Sequence, residues 1–402
     1  MKLGYGRERL EFEPTDNCQI VLPAELPGAG KDEIEKAINL PFGKGLDHFS
    51  GIKSASILIS DITRPAPSHI MLPPLTRRLV DMGASRISVV FALGTHRLMS
   101  YDEERVLLKE CFDIQHIQHD IKRCINIGQT SHGTPVEIFE DVVASDLIVA
   151  TGNIEYHYYA GYSGGAKAIL PGVSSEKSVV RNHELMREPN SISGRLDSPV
   201  RIDMEEAASI AELDFILNVV LNSRNEIVKA VSGDFIKAHR MGAEIVDLMY
   251  RKFVDPADIV ITCTGGWPKD INLYQAQKAL DNAKDAAIEG GTIILLAECG
   301  EGYGNPVFER WAQEASCAED CVERFGLEYE FGGHKAALIA RESLRHNLIL
   351  VSCMPKDKVE MGFFNHARSL EEALSMATKR HGKDARMLVM PYGNLTLVTP
   401  KQ

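Results

Sequence analysis

Apolar and polar positions alternate along this chain in blocks that are typical of an α/β protein. Short runs rich in β-branched residues are each followed by a stretch with helical periodicity, and Gly or Asp residues separate them. The predicted strands are 55–60, 86–93, 146–150, 258–263, 292–297 and 387–391, and the predicted helices are 73–82 and 273–287. The pattern therefore predicts an α/β fold in both halves of the chain.

The length of 402 residues predicts two domains, because a single hydrophobic core stops growing well below that size. We place an N-terminal α/β domain at 1–252, joined by about 388–402, and a C-terminal α/β domain at 253–387. Ligands of open α/β sheets bind beyond the carboxyl ends of the strands. Functional residues are therefore expected at the carboxyl ends of the strands.

Composition and charge narrow the classes of function. The formal net charge of −12 disfavours a nucleic-acid partner, because a polyanion would be repelled. The charged N-terminus does not look like a signal peptide, and the apolar runs are far too short to cross a membrane. Eight cysteines are scattered along the chain rather than grouped as in a disulfide-rich secreted scaffold. We expect a cytoplasmic protein without a membrane or nucleic-acid partner.

Candidate functional residues follow two of the predicted strands. Asp61 ends one strand and Arg64 comes three residues later, so a carboxylate lies beside a guanidinium that can grip an anion. His96 follows the next strand after a glycine, where an imidazole can exchange a proton near neutral pH. Taken alone, the first motif is more typical of a turn, and a single histidine is usually structural.

The most specific segment is 155–172, which is rich in glycine and tyrosine. It carries His157, the pair Gly164-Gly165 and Lys167. It fails the Walker pattern of phosphate-binding loops, since alanines stand before and after the lysine. The apolar residues that follow favour a desolvated, nucleophilic lysine over a lysine on a solvated loop.

Three further groups of polar residues carry weaker signals. His183 could ligate a metal, although an isolated histidine rarely does. His116 and His119 have the spacing of a metal pair, but they lie in a polar stretch with no third ligand, so we interpret them as surface residues. Gln275 and Lys278 share a helical face that could close over an anion, or that simply belongs to an amphipathic helix.

Taken in their order along the chain, these motifs resemble those of the nickel-dependent lactate racemase family. The resemblance rests on Asp61-x-x-Arg64, Gly94-Thr95-His96, His157 with the later Gly-Gly-x-Lys167, His183, and Tyr274-Gln275-x-x-Lys278. Each fragment is weak alone, whereas five with consistent spacing are specific. The fragments span more than half of the chain.

The resemblance implies a cofactor that composition cannot reveal. The family uses nickel held by a pyridinium-3,5-bisthiocarboxylate mononucleotide, the nickel-pincer nucleotide. This implies a covalent link to Lys167, contacts at Gly164 and Gly165, and nickel coordination by His183, since two sulfurs, one carbon and an imidazole suit square-planar Ni(II). It also implies partner enzymes that synthesise the cofactor, so protein made without them is expected to lack it.

The implied reaction is racemisation or epimerisation of a small, lactate-like 2-hydroxy acid by reversible hydride transfer. His96 and His157 would exchange the hydroxyl proton, one on each face of the substrate. The residues implied in substrate binding are Asp61, Arg64, Tyr274, Gln275 and Lys278. The N-terminal domain would bind the cofactor, and a cleft between the domains would exclude water and retain the keto acid.

Two alternatives stay open. The same chemistry could act on a larger 2-hydroxy acid or a sugar acid, because the core residues would be unchanged. A cofactor- or nucleotide-binding protein without racemase activity would need Lys167 and His183, but neither His96 nor His157. The presence of both histidines favours the racemase.

Overall fold

The computed structural model describes residues 1–401, which fold into two compact units. Unit 1 contains Met1–Ala24 and the chain from Tyr250 onward, and unit 2 contains Glu25–Met249. The first strands of the chain therefore belong with its second half. The segment 388–401 also lies in unit 1, together with 253–387.

The described chain contains strands and helices in alternation through most of its length. The strands are β1 (Lys2–Tyr5), β2 (Glu8–Glu11), β3 (Cys18–Ile20), β4 (Ser54–Ser60), β5 (Arg86–Ala92), β6 (His116–Gln118), β7 (Cys124–Gln129), β8 (Pro135–Phe139), β9 (Leu147–Asn153), β10 (Tyr156–His157), β11 (Gly161–Tyr162), β12 (Phe215–Leu221), β13 (Ile227–Gly233), β14 (Arg251–Val254), β15 (Ala257–Cys263), β16 (Ala287–Leu296), β17 (Asn347–Val351), β18 (Asn365–Ala367), β19 (Met387–Met390) and β20 (Leu397–Pro400).

Helices connect most of these strands. The α-helices are α1 (Asp32–Asn39), α2 (Ser68–Asp81), α3 (Tyr101–Leu108), α4 (Glu140–Val143), α5 (Glu176–Glu184), α6 (Pro199–Ile210), α7 (Lys237–Tyr250), α8 (Leu273–Ala283), α9 (Pro306–Glu314), α10 (Ala318–Leu327), α11 (Gly333–Arg345), α12 (Lys356–Met361) and α13 (Leu370–His381). Short 3₁₀ turns cover Leu46–His48, Lys109–Cys111, Ile121–Arg123, Gly165–Ala168, Leu185–Arg187 and Lys284–Ala286. No helix within residues 1–401 is long and apolar enough to cross a bilayer.

Unit 2 is built on a six-stranded sheet in the order β13-β12-β9-β4-β5-β6. All neighbouring strands run parallel except β13, which pairs antiparallel with β12. Both Ile57 and Leu58 of the central strand β4 are fully buried, so both faces of the sheet are covered. The parallel strands β4, β5 and β9 end at one edge, which brings the segments after Ser60, Ala92 and Asn153 to the same side of the unit.

Unit 1 contains a second six-stranded sheet in the order β18-β17-β16-β15-β19-β3. Every pairing in this sheet is parallel. Its core is formed by apolar strand residues such as Ile261 and Ile294, which are almost fully buried. The strand from the N-terminal segment, β3, forms one edge, and it pairs with β19.

The prediction of an α/β fold is confirmed, and each predicted strand is present with ends that differ by a few residues. The helix predicted at 73–82 begins earlier, at Ser68, so Pro73 and Pro74 lie inside it rather than at its start. Proline is favoured in a first helical turn, which explains the error. The helix predicted at 273–287 ends at Ala283, and β16 already begins at Ala287.

Candidate active site

Asp61 and His96 form a direct pair at the carboxyl edge of the unit 2 sheet. Asp61 follows β4, and His96 follows the neighbouring strand β5. Nδ1 of His96 lies 2.5 Å from Oδ2 of Asp61, and the other carboxylate oxygen accepts a hydrogen bond from the backbone N–H of Thr63 at 2.8 Å. A carboxylate at Nδ1 holds the proton on that nitrogen and leaves Nε2 of the imidazole available for chemistry.

The carboxyl group of Asp61 is held in its ionised form. Burial by itself would raise the pKa of Asp61, but hydrogen bonds from His96 and Thr63 outweigh it and lower the pKa to about 2. Asp61 is only 5% exposed, whereas the side chain of its partner His96 is 45% exposed. A fixed negative charge therefore lies behind an accessible imidazole.

The turn that presents His96 depends on Gly94. This glycine has a φ of +56°, and its N–H donates to the carbonyl of Gly172 at 2.8 Å. A side chain there would also meet the backbone of Pro171 at 3.4 Å. The close approach joins the turn after β5 to the end of the segment 155–172, which is distant from it along the chain.

The segment 155–172 begins with a short hairpin formed by β10 and β11, with Tyr159 in its turn. The ring of Tyr159 packs edge-on against His157, with centroids 4.4 Å apart. Its hydroxyl lies 2.6 Å from Nε2 of His183, and Nζ of Lys167 lies 5.5 Å from its ring centroid. Tyr159 therefore contacts or faces three residues predicted from the sequence, and it is the centre of the candidate site.

Two glycines next to Lys167 allow the backbone to pass through a confined space. Gly164 and Gly165 have φ angles of +72° and +59°. A side chain at Gly164 would lie 2.8 Å from Asn218, and one at Gly165 would lie 2.9 Å from His239. Asn218 also accepts a hydrogen bond from the N–H of Gly165 at 2.8 Å. These contacts fix the start of the 3₁₀ turn that carries Lys167.

Lys167 lies in a setting that disfavours its charge. Burial is the main cause that lowers the pKa of Lys167 well below its usual range, and the nearby cations Arg201 and Arg64 lower it further. Within residues 1–401, no carboxylate forms an ion pair with its Nζ. This setting favours the uncharged amine, which is the nucleophilic form of a lysine side chain.

His157 and His183 are held as neutral imidazoles. Burial lowers the pKa of His183 to about 3, with a further contribution from Lys167. Burial also lowers the pKa of His157 well below its usual range, assisted by the charges of Lys167 and Arg64. A neutral imidazole is the form that can ligate a metal or accept a proton.

His183 occupies its position because of the way α5 is built. Ser175 caps the helix by accepting a hydrogen bond from the N–H of Ser178 at 3.2 Å. The buried face then carries Val179, Asn182 and His183, at the spacing of one helical stripe. The sequence could not show this, because the histidine is isolated along the chain.

The remaining predicted residues are located as follows. Arg64 lies on the exposed turn after Asp61, and its backbone N–H donates to the Asp61 carbonyl at 3.2 Å. Tyr274, Gln275 and Lys278 lie in the first turns of α8, in unit 1. Nζ of Lys278 donates to Oε1 of Gln275 at 2.9 Å, so the predicted shared helical face is confirmed.

The interpretation of His116 and His119 as surface residues is wrong. His119 is 2% exposed, its Nε2 lies 3.5 Å from Sγ of Cys124, and burial lowers the pKa of His119 to about 4. His116 is partly buried and packs against Phe91. The strand β6 joins the sheet edge and turns these side chains inward, which the polar sequence around them did not indicate.

A separate cluster in unit 2 has the composition of a metal site. His132, Asp203 and Glu206 place one ligand atom each within 4.8 Å of one another. The carboxylate oxygens already accept hydrogen bonds, for example from Thr130 to Asp203 at 2.5 Å and from Ser131 to Glu206 at 2.6 Å. These bonds account for the cluster as a structural network between the β7–β8 turn and α6.

Two family models match the chain, the lactate racemase N-terminal domain over residues 3–194 and the lactate racemase C-terminal domain over residues 253–398. The chain belongs to the lactate racemase family. A lactate racemase from Thermoanaerobacterium thermosaccharolyticum is 34% identical over 423 residues, which cover 100% of this chain and 99% of the relative. A lactate racemase from Lactiplantibacillus plantarum is 32% identical over 380 residues, covering 90% and 89%.

The solved structure of one relative agrees with membership of the lactate racemase family. The lactate racemase apoprotein from Thermoanaerobacterium thermosaccharolyticum superposes with a TM-score of 0.93 at 34% identity and covers 99% of both chains. A protein from Thermotoga maritima gives a TM-score of 0.66 at 19% identity, over 94% of this chain and 100% of that chain, a likeness of fold alone. The predicted family is confirmed, and so is the enzyme class, which is that of an isomerase.

Several residues of this lactate racemase family site were missed from the sequence. The site residues predicted from the sequence do not include Tyr159, Asn218, Arg201 or His239. Asn218 carried a signal, since it is the one polar residue in the otherwise apolar strand Phe215–Leu221. The others had none, because their roles depend on contacts between segments that are distant along the chain.

Proposed function

We propose that this protein racemises lactate or a closely related small 2-hydroxy acid with the help of a nickel-pincer nucleotide. The observation that carries the proposal is the arrangement around Tyr159, which brings a nucleophilic lysine and two neutral imidazoles together in one site. The curated relatives, both of them lactate racemases, support lactate as the first substrate to test.

The residues of the site fit such a cofactor. Lys167 has a lowered pKa and would hold the nucleotide through a covalent link at Nζ. Gly164 and Gly165 leave no room for side chains, so Asn218 and His239 hold the backbone next to Lys167 in one conformation. His183, neutral and buried beside the Tyr159 hydroxyl, would ligate the nickel. When bound there, the cofactor would supply a reversible hydride acceptor for the hydroxyl-bearing carbon of the substrate.

The protein itself would move the hydroxyl proton. His96 can accept it at Nε2, because Asp61 holds the proton of the imidazole on Nδ1 and compensates the positive charge that develops. His157, whose pKa is lowered well below its usual range mainly by burial, would serve the other face. One histidine takes a proton and the other gives one, and the roles exchange for the opposite enantiomer. The net change is inversion at carbon without oxidation.

Substrate binding would rest on the carboxylate. Arg64 is exposed, carries a five-donor guanidinium and contributes positive charge near both His157 and Lys167. Such a fork binds a carboxylate through two parallel hydrogen bonds. We also assign Tyr274, Gln275 and Lys278 to substrate binding, on the basis of the family resemblance.

The proposal is tested by making the protein together with the enzymes that synthesise the cofactor. Intact mass and bound nickel are measured, followed by chiral chromatography of L- and D-lactate after incubation. We expect a covalent mass gain, nickel and interconversion of the enantiomers, all of which are lost in Lys167→Ala. The matched control is Lys177→Ala, because Lys177 is an exposed lysine on α5 that pairs only loosely with Glu137 at 3.8 Å.

Two outcomes would contradict the proposal. A protein without mass gain or nickel under these conditions would not be a nickel-pincer enzyme. A loaded protein that leaves lactate, larger 2-hydroxy acids and sugar acids unchanged would be a cofactor-binding protein rather than a racemase. Turnover of a larger acid but not of lactate would correct the substrate and keep the chemistry.

A further inference from the structure

Arg201 is a fully buried cation directly behind the hairpin that carries Tyr159. It belongs to α6, and its exposure is 0%. Its Nε donates to the carbonyl of Ala160 at 3.0 Å, and its Nη2 donates to the carbonyl of Tyr162. The planar guanidinium therefore binds two carbonyl groups that lie on either side of Gly161 in the hairpin.

The carboxylate nearest to Arg201 does not explain why a charge is buried there. Glu205 Oε1 lies 3.9 Å from Nη1 of Arg201, while both oxygens of Glu205 accept shorter bonds from Arg240, at 2.6 and 2.8 Å. Burying a guanidinium is costly, and burial lowers the pKa of Arg201 to about 10. An apolar side chain would fill this space at lower cost, so the two carbonyl bonds are the feature that distinguishes arginine.

The rest of the hairpin is held in the same manner from α7. Nε2 of His239 lies 2.8 Å from the carbonyl of Ser163, and the hydroxyl groups of Tyr156 and Tyr162 donate to Asp247 at 2.8 and 2.7 Å. Side chains from α6 and α7 thus bind the backbone and the tyrosines of the hairpin. The conformation of this segment is determined by the helices behind it.

We propose that Arg201 is a positioning residue, which fixes the hairpin so that His157, Tyr159 and Lys167 keep their mutual arrangement. The importance of that arrangement for catalysis rests on the proposed function. Arg201 touches neither the substrate nor the cofactor in this scheme, and it acts through the carbonyls of Ala160 and Tyr162.

The buried charge of Arg201 has a second effect on the same site. Burial is the largest cause of the lowered pKa of His157, and the charge of Arg201 is one of the smaller causes that act in the same direction. Arg201 therefore helps to keep His157 unprotonated, which a purely structural side chain would not do. Substitution can separate the effect of the charge from that of the hydrogen bonds. A lysine at position 201 keeps the positive charge but cannot donate to both carbonyl groups as the planar guanidinium does.

The test compares Arg201→Met and Arg201→Lys with the wild type as apoprotein. Amide hydrogen exchange of residues 161–163 reports on the hairpin, with amides of β9 as the internal reference for global stability. NMR titration of the His157 imidazole reports on the charge. The matched control is Arg181→Met, since Arg181 also donates to a backbone carbonyl, that of His132 at 3.1 Å, and pairs with Glu184.

We expect exchange at 161–163 to become about tenfold faster or more in both Arg201 variants, with β9 little changed. His157 should protonate at a higher pH in Arg201→Met, but as in the wild type in Arg201→Lys. Loading of Lys167, measured as the mass gain, should fall in both. Unchanged exchange at 161–163, or an equal effect in Arg181→Met, would overturn the proposal. If Arg201→Met does not fold, amide hydrogen exchange at residues 161–163 of Arg201→Lys alone decides whether Arg201 positions the hairpin.

These readouts separate the two proposals. Exchange and the His157 titration are measured without cofactor, so they decide the role of Arg201 even if the wild type never acquires a covalent mass gain. A wild type that remains unmodified would contradict the proposed function only. Faster exchange with unimpaired loading would show that the hairpin contacts are not needed for attachment, and would overturn the positioning role.

Discussion

The hydroxyl of Tyr159 lies 2.6 Å from Nε2 of His183, across 24 residues of chain that include the whole glycine-rich turn. Both side chains are 7% exposed. The contact connects the hairpin β10–β11 to helix α5, and between them lies the 3₁₀ turn of Lys167. The histidine that we assign to nickel is thus hydrogen-bonded to a phenol.

Tyr159→Phe should destabilise the apoprotein by about 1–2 kcal/mol, because a buried imidazole loses a hydrogen-bond partner without gaining water. The measurement is urea denaturation at neutral pH. Tyr101→Phe is the control, since Tyr101 is an exposed tyrosine of the same unit, and its change should stay within about 0.5 kcal/mol. Equal stability of the two variants would mean that the Tyr159–His183 bond contributes nothing net.

Asp61→Asn should change the way in which the free energy of unfolding depends on pH in the acidic range. The pKa of Asp61 is lowered to about 2, since hydrogen bonds from His96 and Thr63 outweigh burial. A carboxyl group with a lowered pKa stabilises the fold above its unfolded pKa near about 3.9, and this contribution is lost as the pH falls through about 2. The wild type should therefore be more stable than Asp61→Asn by roughly 2 kcal/mol at neutral pH, with the difference shrinking toward about pH 2.

Urea unfolding at a series of acidic pH values measures this difference. Other carboxyl groups titrate in the same range, so the relevant quantity is wild type minus variant at each pH. Asp32→Asn, at an exposed position in the first turn of α1, provides the baseline. A difference for Asp61→Asn that stays constant with pH would show that the pKa of Asp61 is not lowered in the folded protein.

Gly165→Ala should lower the free energy of unfolding more than the same substitution at a glycine of similar φ with no close neighbour. The residue has a φ of +59°, and a side chain would lie 2.9 Å from the ring of His239. Gly51→Ala is the matched control, because Gly51 has a φ of +74° in the same unit with nothing within 4 Å. We expect the control to cost about 1 kcal/mol from backbone strain, and Gly165→Ala to cost clearly more and to reduce cofactor loading. A similar loss of stability in both variants would show that the side chain of His239 can move away from a methyl group at position 165.

The free energy of unfolding of the wild type should rise between about pH 7 and 10 because of Lys335, and this rise should be absent in Lys335→Met. Lys335 is 1% exposed and donates to Gln277 at 2.6 Å, and its pKa is lowered to about 7, by burial first and by Lys278 second. An unfolded lysine keeps its proton up to about pH 10, so the folded protein binds fewer protons between about pH 7 and 10 and becomes more stable as the pH rises. Across this pH range, the free energy of unfolding of the wild type should increase by on the order of a few kcal/mol relative to that of Lys335→Met.

Urea unfolding at neutral and alkaline pH measures the effect of Lys335. Lys379→Met, at an exposed position of α13 in the same unit, should leave the pH dependence unchanged. If the wild type and Lys335→Met show parallel stability curves, Lys335 is charged in the folded protein throughout the range.

The sequence by itself determined the class of the fold and the family, and it supplied most of the residues that we propose for the site. Runs such as 55–60 and 258–263 favour buried strands, because they are short, rich in β-branched residues and followed within two residues by Asp or Gly. Reactive groups such as Lys167 and His96 were recognisable, because they stand in short motifs where a glycine and a charged side chain are close along the chain.

Only the tertiary structure decided which residues surround those groups. Tyr159 meets His183, and Arg201 binds the hairpin, through contacts between segments that no local pattern connects. The same holds for His119, whose burial depends on β6 joining the sheet edge. Short-range patterns reflect backbone preferences and periodic burial, whereas the pKa values of Lys167 and His157 depend on desolvation and on charges brought close by folding.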